Sequence, residues 1–164
     1  MAARSPALWL LALSSIGCAE TDPTSCVETG AYLDVDTASH RLYLCEAQVT
    51  THTFDVRLGF GGIGKTKEGD QKTPLGNYPL GAPRASEKYG TFIPIGYPTA
   101  AQHAEGFTGS AVGVHGPDRR LTWLGAATNW LDTTDGCIGL ATDEQMSSIA
   151  TWIGAHAPKT ITIR

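Results

Sequence analysis

Short runs that alternate apolar and polar residues, each cut off by glycine or proline, constrain this chain more than any other feature. Leu33 and Val35 alternate with Tyr32, Asp34 and Asp36, and Thr37-Ala38-Ser39-His40 then turns the chain. Arg41-Leu42-Tyr43-Leu44-Cys45 alternates again, and residues 50–58 make a third run rich in β-branched and aromatic side chains. A period of two sends successive side chains to opposite faces of an extended strand, so strand, turn and strand at this spacing predict an antiparallel meander. Downstream, the 19 glycines and 9 prolines punctuate short segments at 78–80, 91–95 and 111–115. That rhythm predicts a mainly β, sandwich-like or barrel-like domain rather than alternating βαβ units. A length of 164 residues suits one such domain.

One or two short helices are expected, and one is explicit. Thr142-Asp143-Glu144-Gln145 fits a capping box, with two acids near the positive end of the helix dipole. Met146, Ile149, Ala150 and Ile153 follow on one face, and Gly154 is the expected stop, giving a helix at about 142–153. Residues 160–163 close the chain as a strand.

Residues 1–17 read as a secretory leader: Arg4, a short apolar stretch at 7–13, then small and polar residues up to Cys18. The stretch is too short to span a bilayer. A cysteine at that point resembles a lipoprotein signal, with Cys18 lipidated; a plain secretory peptide cleaved nearby is the other reading, since Ser15 stands where an aliphatic residue is usual. Residues 18–30 are then a tether and 31–164 the folded domain. The expected location is the periplasm or cell envelope, with a lipid anchor to the membrane if Cys18 is modified. In an oxidising compartment Cys26 and Cys45 are candidates for a bridge, worth roughly 3 kcal/mol on a chain-entropy argument. Cys137 is left over, either as a reactive thiol or as a buried structural one. The net charge of −4 argues against a nucleic-acid partner.

Gly59-Phe60-Gly61-Gly62-Ile63-Gly64-Lys65-Thr66 matches the phosphate-binding string G-x-x-x-x-G-K-[ST] in full. The physical context does not fit. A phosphate loop must open a helix, whose N-terminus supplies the anion site, and Gly69 and Pro74 oppose a helix there. A nucleotide partner is not expected. Five scattered histidines offer no paired ligand spacing, so neither metal nor cofactor is expected.

The sharpest constellation is Val114-His115-Gly116, followed 137 − 115 = 22 positions later by Thr134-Asp135-Gly136-Cys137. Either residue alone would be ordinary, His115 as a strand-end histidine and Cys137 as a core thiol. Together they have a chemical logic. Acyl transfer needs a thiolate, which an unassisted thiol supplies only sparingly at neutral pH. A histidine in reach can take the proton and return it to a leaving amine. Gly136 permits a tight turn, and the Gly136 and Cys137 amides are candidates to face an oxyanion.

These residues resemble the L,D-transpeptidase catalytic domain family, also called YkuD-type: a His-Gly pair after a strand, then Ser/Thr-x-Gly-Cys. The resemblance extends to residues 34–44, similar to the family's opening hairpin, and to Lys67-Glu68-Gly69-Asp70-Gln71-Lys72-Thr73-Pro74-Leu75-Gly76-Asn77-Tyr78. It spans about residues 31–164 and implies a YkuD-type β-sandwich. It also implies a peptidoglycan-modifying enzyme in which Cys137 forms a thioester with a stem peptide, typically between diaminopimelate and D-alanine. His115 is then base and acid. An amine acceptor gives a cross-link, as in a transpeptidase; water gives a carboxypeptidase, or an amidase that frees a wall-attached lipoprotein. A non-catalytic wall-binding protein is the reading of a different class. Gly116, Thr134 and Asp135 are expected to shape the loop or touch substrate. Two departures stand out: Asp135 replaces a histidine common in the family, and Gly139 stands where an arginine is frequent. Beside a thiol, an inward Asp135 would oppose thiolate formation, so it is expected to point away or to meet a substrate cation.

Overall fold

The computed structural model describes residues 26–120 and 132–164; the expected leader, Cys18 and most of the tether lie outside them. Eleven elements follow in order: β1 (Tyr32–Asp36), β2 (Arg41–Glu46), β3 (Val49–Asp55), β4 (Gly76–Pro79), β5 (Arg84–Ser86), β6 (Gly90–Pro94), α1 (Ala100–Ala104), β7 (Gly113–His115), β8 (Ile138–Gly139), α2 (Asp143–His156) and β9 (Thr160–Ile163). The fold is mostly β, with two sheets and two helices.

The expected meander is present as β3-β2-β1 and forms one side of a five-stranded sheet. Beyond it the order becomes non-local. β9 lies between β1 and β4, parallel to β1 and antiparallel to β4. The second sheet has the order β5-β6-β7-β8, and its last pair is parallel. The two sheets and α2 share one core, in which Leu33, Leu44, Ile93, Val114, Ile138, Ile149 and Ile161 are fully inaccessible. Burying each such side chain contributes roughly 1.5–3 kcal/mol.

The alternation in β1 does not separate core from solvent. Tyr32 and Asp34, on the nominally polar face, are buried as deeply as Leu33 and Val35. Tyr32 and Tyr43 pack with Cys26 and Cys45 in a small second cluster, and those two cysteines are bridged, with Cα atoms 5.3 Å apart. Asp34 is met by Arg164, whose Nη2 donates at 2.9 Å.

α2 begins as its sequence dictates. Thr142 Oγ1 accepts from the Gln145 amide, the Gln145 side chain reaches back, and Met146, Ile149, Trp152 and Ile153 are buried. It does not stop at Gly154. The helix runs on to His156 and ends where Ala157 adopts the left-handed conformation at φ 45°. An exposed glycine costs a helix only about 1 kcal/mol. The last turn offsets that, with His156 stacked on Trp152 and its Nδ1 2.9 Å from Glu46 Oε1. The third run is also shorter than expected: β3 ends at Asp55, and Val56, Arg57 and Leu58 turn inward as buried residues of a loop.

Candidate active site

The parallel pairing of β7 and β8 aligns Val114 with Ile138 and His115 with Gly139. This register is what brings the two parts of the constellation together, because Cys137 immediately precedes β8. Cys137 lines a cleft of about 600 Å³, with Lys65, Glu68, Gln71, Arg84, Tyr89 and Asp135 among the other lining residues.

His115 is buried, 3% exposed. Its Nδ1–H donates to the Gly116 carbonyl at 2.7 Å, which fixes the tautomer and leaves a lone pair on Nε2. Nε2 is buried and has no partner among the described residues. The Tyr89 ring stacks on the imidazole, with centroids 3.7 Å apart, and Lys88 Nζ sits 4.8 Å from the centre of the Tyr89 ring. Burial lowers the His115 pKa to about 4, against the raising effect of the Gly116 carbonyl; Arg57 and Lys88 push it further down.

Cys137 is the one free thiol among the described residues. It donates to the Ala111 carbonyl at 3.6 Å. Burial pushes its pKa up, opposed by the Gly113 backbone; Asp135 raises it and Lys88 and Lys65 lower it. Both shifts favour a resting pair of neutral thiol and neutral imidazole over an ion pair.

The loop around Cys137 is held from within. Gly136 has φ +113°, and a Cβ there would lie 2.4 Å from the Lys72 carbonyl, so no other residue fits without backbone movement. Thr134 is a turn-stabilising hydroxyl: its Oγ1 donates to the Cys137 carbonyl at 2.7 Å and accepts from the Gly136 amide at 3.2 Å. The Gly136 amide, one of the two expected to face an oxyanion, is therefore already engaged in the resting structure. Asp135 accepts from Gln71 Nε2 at 3.2 Å at the border of the cleft. Its charge raises the Cys137 thiol pKa.

The string that imitates a phosphate loop has a structural task instead. Lys65, 5% exposed, pairs with Asp70 at 2.8 Å. Asp70 also accepts from the Thr66, Lys67 and Lys72 amides. No helix follows Lys65 before α1. Among the described residues no group of three or more His, Cys, Asp or Glu could hold a metal.

The L,D-transpeptidase catalytic domain model, YkuD, matches residues 30–161. The chain belongs to this family. No curated protein sequence matches it. Among solved structures it is similar to the helical cell shape determining protein Pgp2 from Campylobacter jejuni, at 24% identity and a TM-score of 0.63, covering 82% of this chain and 46% of that one. It is also similar to Bd1075 from Bdellovibrio bacteriovorus, at 17% identity and a TM-score of 0.59, covering 83% and 47%. An L,D-transpeptidase from Xylanimonas cellulosilytica matches at 16% identity and a TM-score of 0.51, covering 87% and 64%. The chain thus spans about half the length of Pgp2 and Bd1075. At these identities the likeness is one of fold.

Sequence reasoning overlooks three members of this YkuD-type site: Tyr89 against His115, the Lys65–Asp70 pair, and Arg57. Arg57 had a legible signal, being the one charge in the otherwise apolar run Val56-Arg57-Leu58. Tyr89 had none, because stacking between residues 26 positions apart is set by the tertiary fold.

Proposed function

We propose that this chain is a peptidoglycan-modifying cysteine acyltransferase, an L,D-transpeptidase with Cys137 as nucleophile and His115 as its base. The observation that carries this reading is the buried, unpartnered Nε2 of His115, held by the Gly116 carbonyl on the strand paired with the segment that follows Cys137. A buried ring nitrogen without a partner is costly, and a proton donor arriving during turnover gives it a use.

Cys137 Sγ loses its proton to His115 Nε2 and attacks the carbonyl carbon between an L-centre and the D-residue of a stem peptide. The oxyanion is met by the Cys137 amide, and by the Gly136 amide once that exchanges Thr134 Oγ1 for the new charge. The C–N bond breaks, the D-residue leaves as an amine carrying the proton from His115, and a thioester remains. The amine of a second stem attacks the thioester, forming the cross-link and restoring the thiol. The family match supports this substrate class, as do neighbours described as a helical cell shape determining protein and an L,D-transpeptidase. The same reading includes work in the cell envelope on wall that sets cell shape, behind a leader at 1–17 with Cys18 as lipid anchor. The Cys26–Cys45 bridge favours an oxidising compartment.

Incubation with purified sacculi, followed by mass analysis of the released muropeptides, tests it. New cross-links that vanish in Cys137→Ser and His115→Gln are the expected result. Shortened stems alone would mean that water is the acceptor, and unaltered sacculi together with no mass adduct on Cys137 would remove the enzyme reading.

A further inference from the structure

Arg57 is almost wholly buried, at 4% exposure, in a part of the fold where a charge needs a reason. Its backbone pairs with Gly139: each amide donates to the other residue's carbonyl at 2.9 Å. Gly139 is in turn aligned with His115 across the β7–β8 ladder. Residues directly opposite one another in a ladder point to the same face. Arg57 and His115 therefore flank Gly139 on one face, their backbones about 10 Å apart at the usual strand spacing.

Gly139 contributes no side chain between them, and the guanidinium fills that space. A Cβ on Gly139 would lie 3.2 Å from Arg57 Nη2 and 3.3 Å from Nε. From this position Nη2 donates to the Leu140 carbonyl at 3.0 Å and Nη1 to Thr133 Oγ1 at 3.4 Å, while Nε is buried without a partner. Thr133 precedes the Cys137 turn and Leu140 follows it. Among the described residues no carboxylate lies within ion-pair distance of the guanidinium; burial disfavours its charge, and Asp118 favours it only from farther off.

We propose that Arg57 is a positioning residue for the nucleophile turn: it clamps Thr133 and Leu140, the two ends of the segment that presents Cys137, and places a positive charge on the face of Gly139 that His115 shares. The other groups acting on the imidazole are the Gly116 carbonyl, which favours its protonated form, Lys88, which opposes it, Asp118, which favours it weakly, and the stacked Tyr89 ring. The inference rests on the Cys137/His115 reading of the site but not on any particular substrate, so its test uses none.

Two measurements on folded, purified protein suffice: the NMR titration of the His115 Cε1–H, and the rate of Cys137 alkylation by iodoacetamide at neutral pH. In Arg57→Met the titration midpoint moves up, because a neighbouring positive charge is gone, and alkylation changes by about tenfold as the turn loosens. In Arg57→Lys the charge remains but the two-pronged clamp does not, so alkylation changes while the midpoint stays near its original value. Gly139→Ala crowds the guanidinium and keeps its charge, and behaves like Arg57→Lys. A role confined to stability would lower the melting temperature of all three and leave both readouts in place on folded protein. That result overturns the proposal, as does a midpoint in Arg57→Met equal to that of the parent. If Arg57→Met does not fold, the other two variants decide: unchanged alkylation in both rejects the clamp. Wall-processing assays that fail while these shifts occur would reject the substrate and leave the role of Arg57 standing.

Discussion

Two buried polar arrangements meet near the Cys137 turn, and they are built on opposite terms. At the Lys65–Asp70 loop every charge has an answer: the Lys65 ammonium reaches both Asp70 and the Lys67 carbonyl, and Asp70 collects three backbone amides besides. Burial alone would push the Asp70 carboxyl up, but those donors hold it well below the usual carboxylate range. At the Cys137–His115 pair the imidazole is tied at one nitrogen only, and the thiol rests on a long contact to a carbonyl. Satisfied buried polar groups rigidify a fold, and unsatisfied ones cost it free energy. The first arrangement is scaffold, and the second leaves a buried nitrogen open, as the proposed proton transfer requires.

The largest effect expected from breaking this contrast is on activity. Cys137→Ser should abolish stem processing, by about a thousandfold or more, while changing the melting temperature little, because Sγ contributes only a weak hydrogen bond. Asp70→Asn should do the reverse. Removing one partner of a buried pair leaves the other uncompensated and costs about 3–5 kcal/mol, roughly a 10 °C loss in melting temperature for a domain of this size, readable by thermal unfolding.

Acidification sharpens the contrast further. His115 titrates at about 4 in the folded chain, against 6.5 for an unperturbed histidine. Between those values the unfolded chain holds more protons, so stability rises with pH and is lost as pH falls through that window, by about 3 kcal/mol in all. In His115→Gln that part of the slope should disappear, as urea titrations at several pH values would show. The smallest effect belongs to Asp135. Because its charge raises the Cys137 thiol, Asp135→Asn should expose more thiolate and speed alkylation by about two- to threefold at neutral pH. An unchanged rate would place the carboxylate too far away to matter.

How much of this was legible in the sequence follows from the range of the forces involved. The β1–β2–β3 meander and the start of α2 rest on local alternation and capping, and both are readable from a few residues. The insertion of β9 between β1 and β4 depends on a contact across almost the whole described chain, which no local period encodes. The helix end was misplaced because Gly154 opposes helix only weakly, while the His156 contacts that extend it come from tertiary packing. Within the site, Cys137 and His115 stand out in the sequence because their side chains have the chemical character that the proposed acyl transfer needs. Arg57 acts through the backbone of a turn and the absence of a side chain at Gly139, and a residue that matters by filling a neighbour's space leaves no motif.

The placement of β9 has a consequence in time. β9 follows every other described strand in the sequence, yet it must slot between β1 and β4 before the five-stranded sheet exists. Contacts of such long separation close slowly and late. During synthesis, then, the segments carrying the thiol and the imidazole precede the strand that completes the frame beneath them. Until β9 is made, Cys137 and His115 sit on a chain whose five-stranded sheet is still divided between β1 and β4.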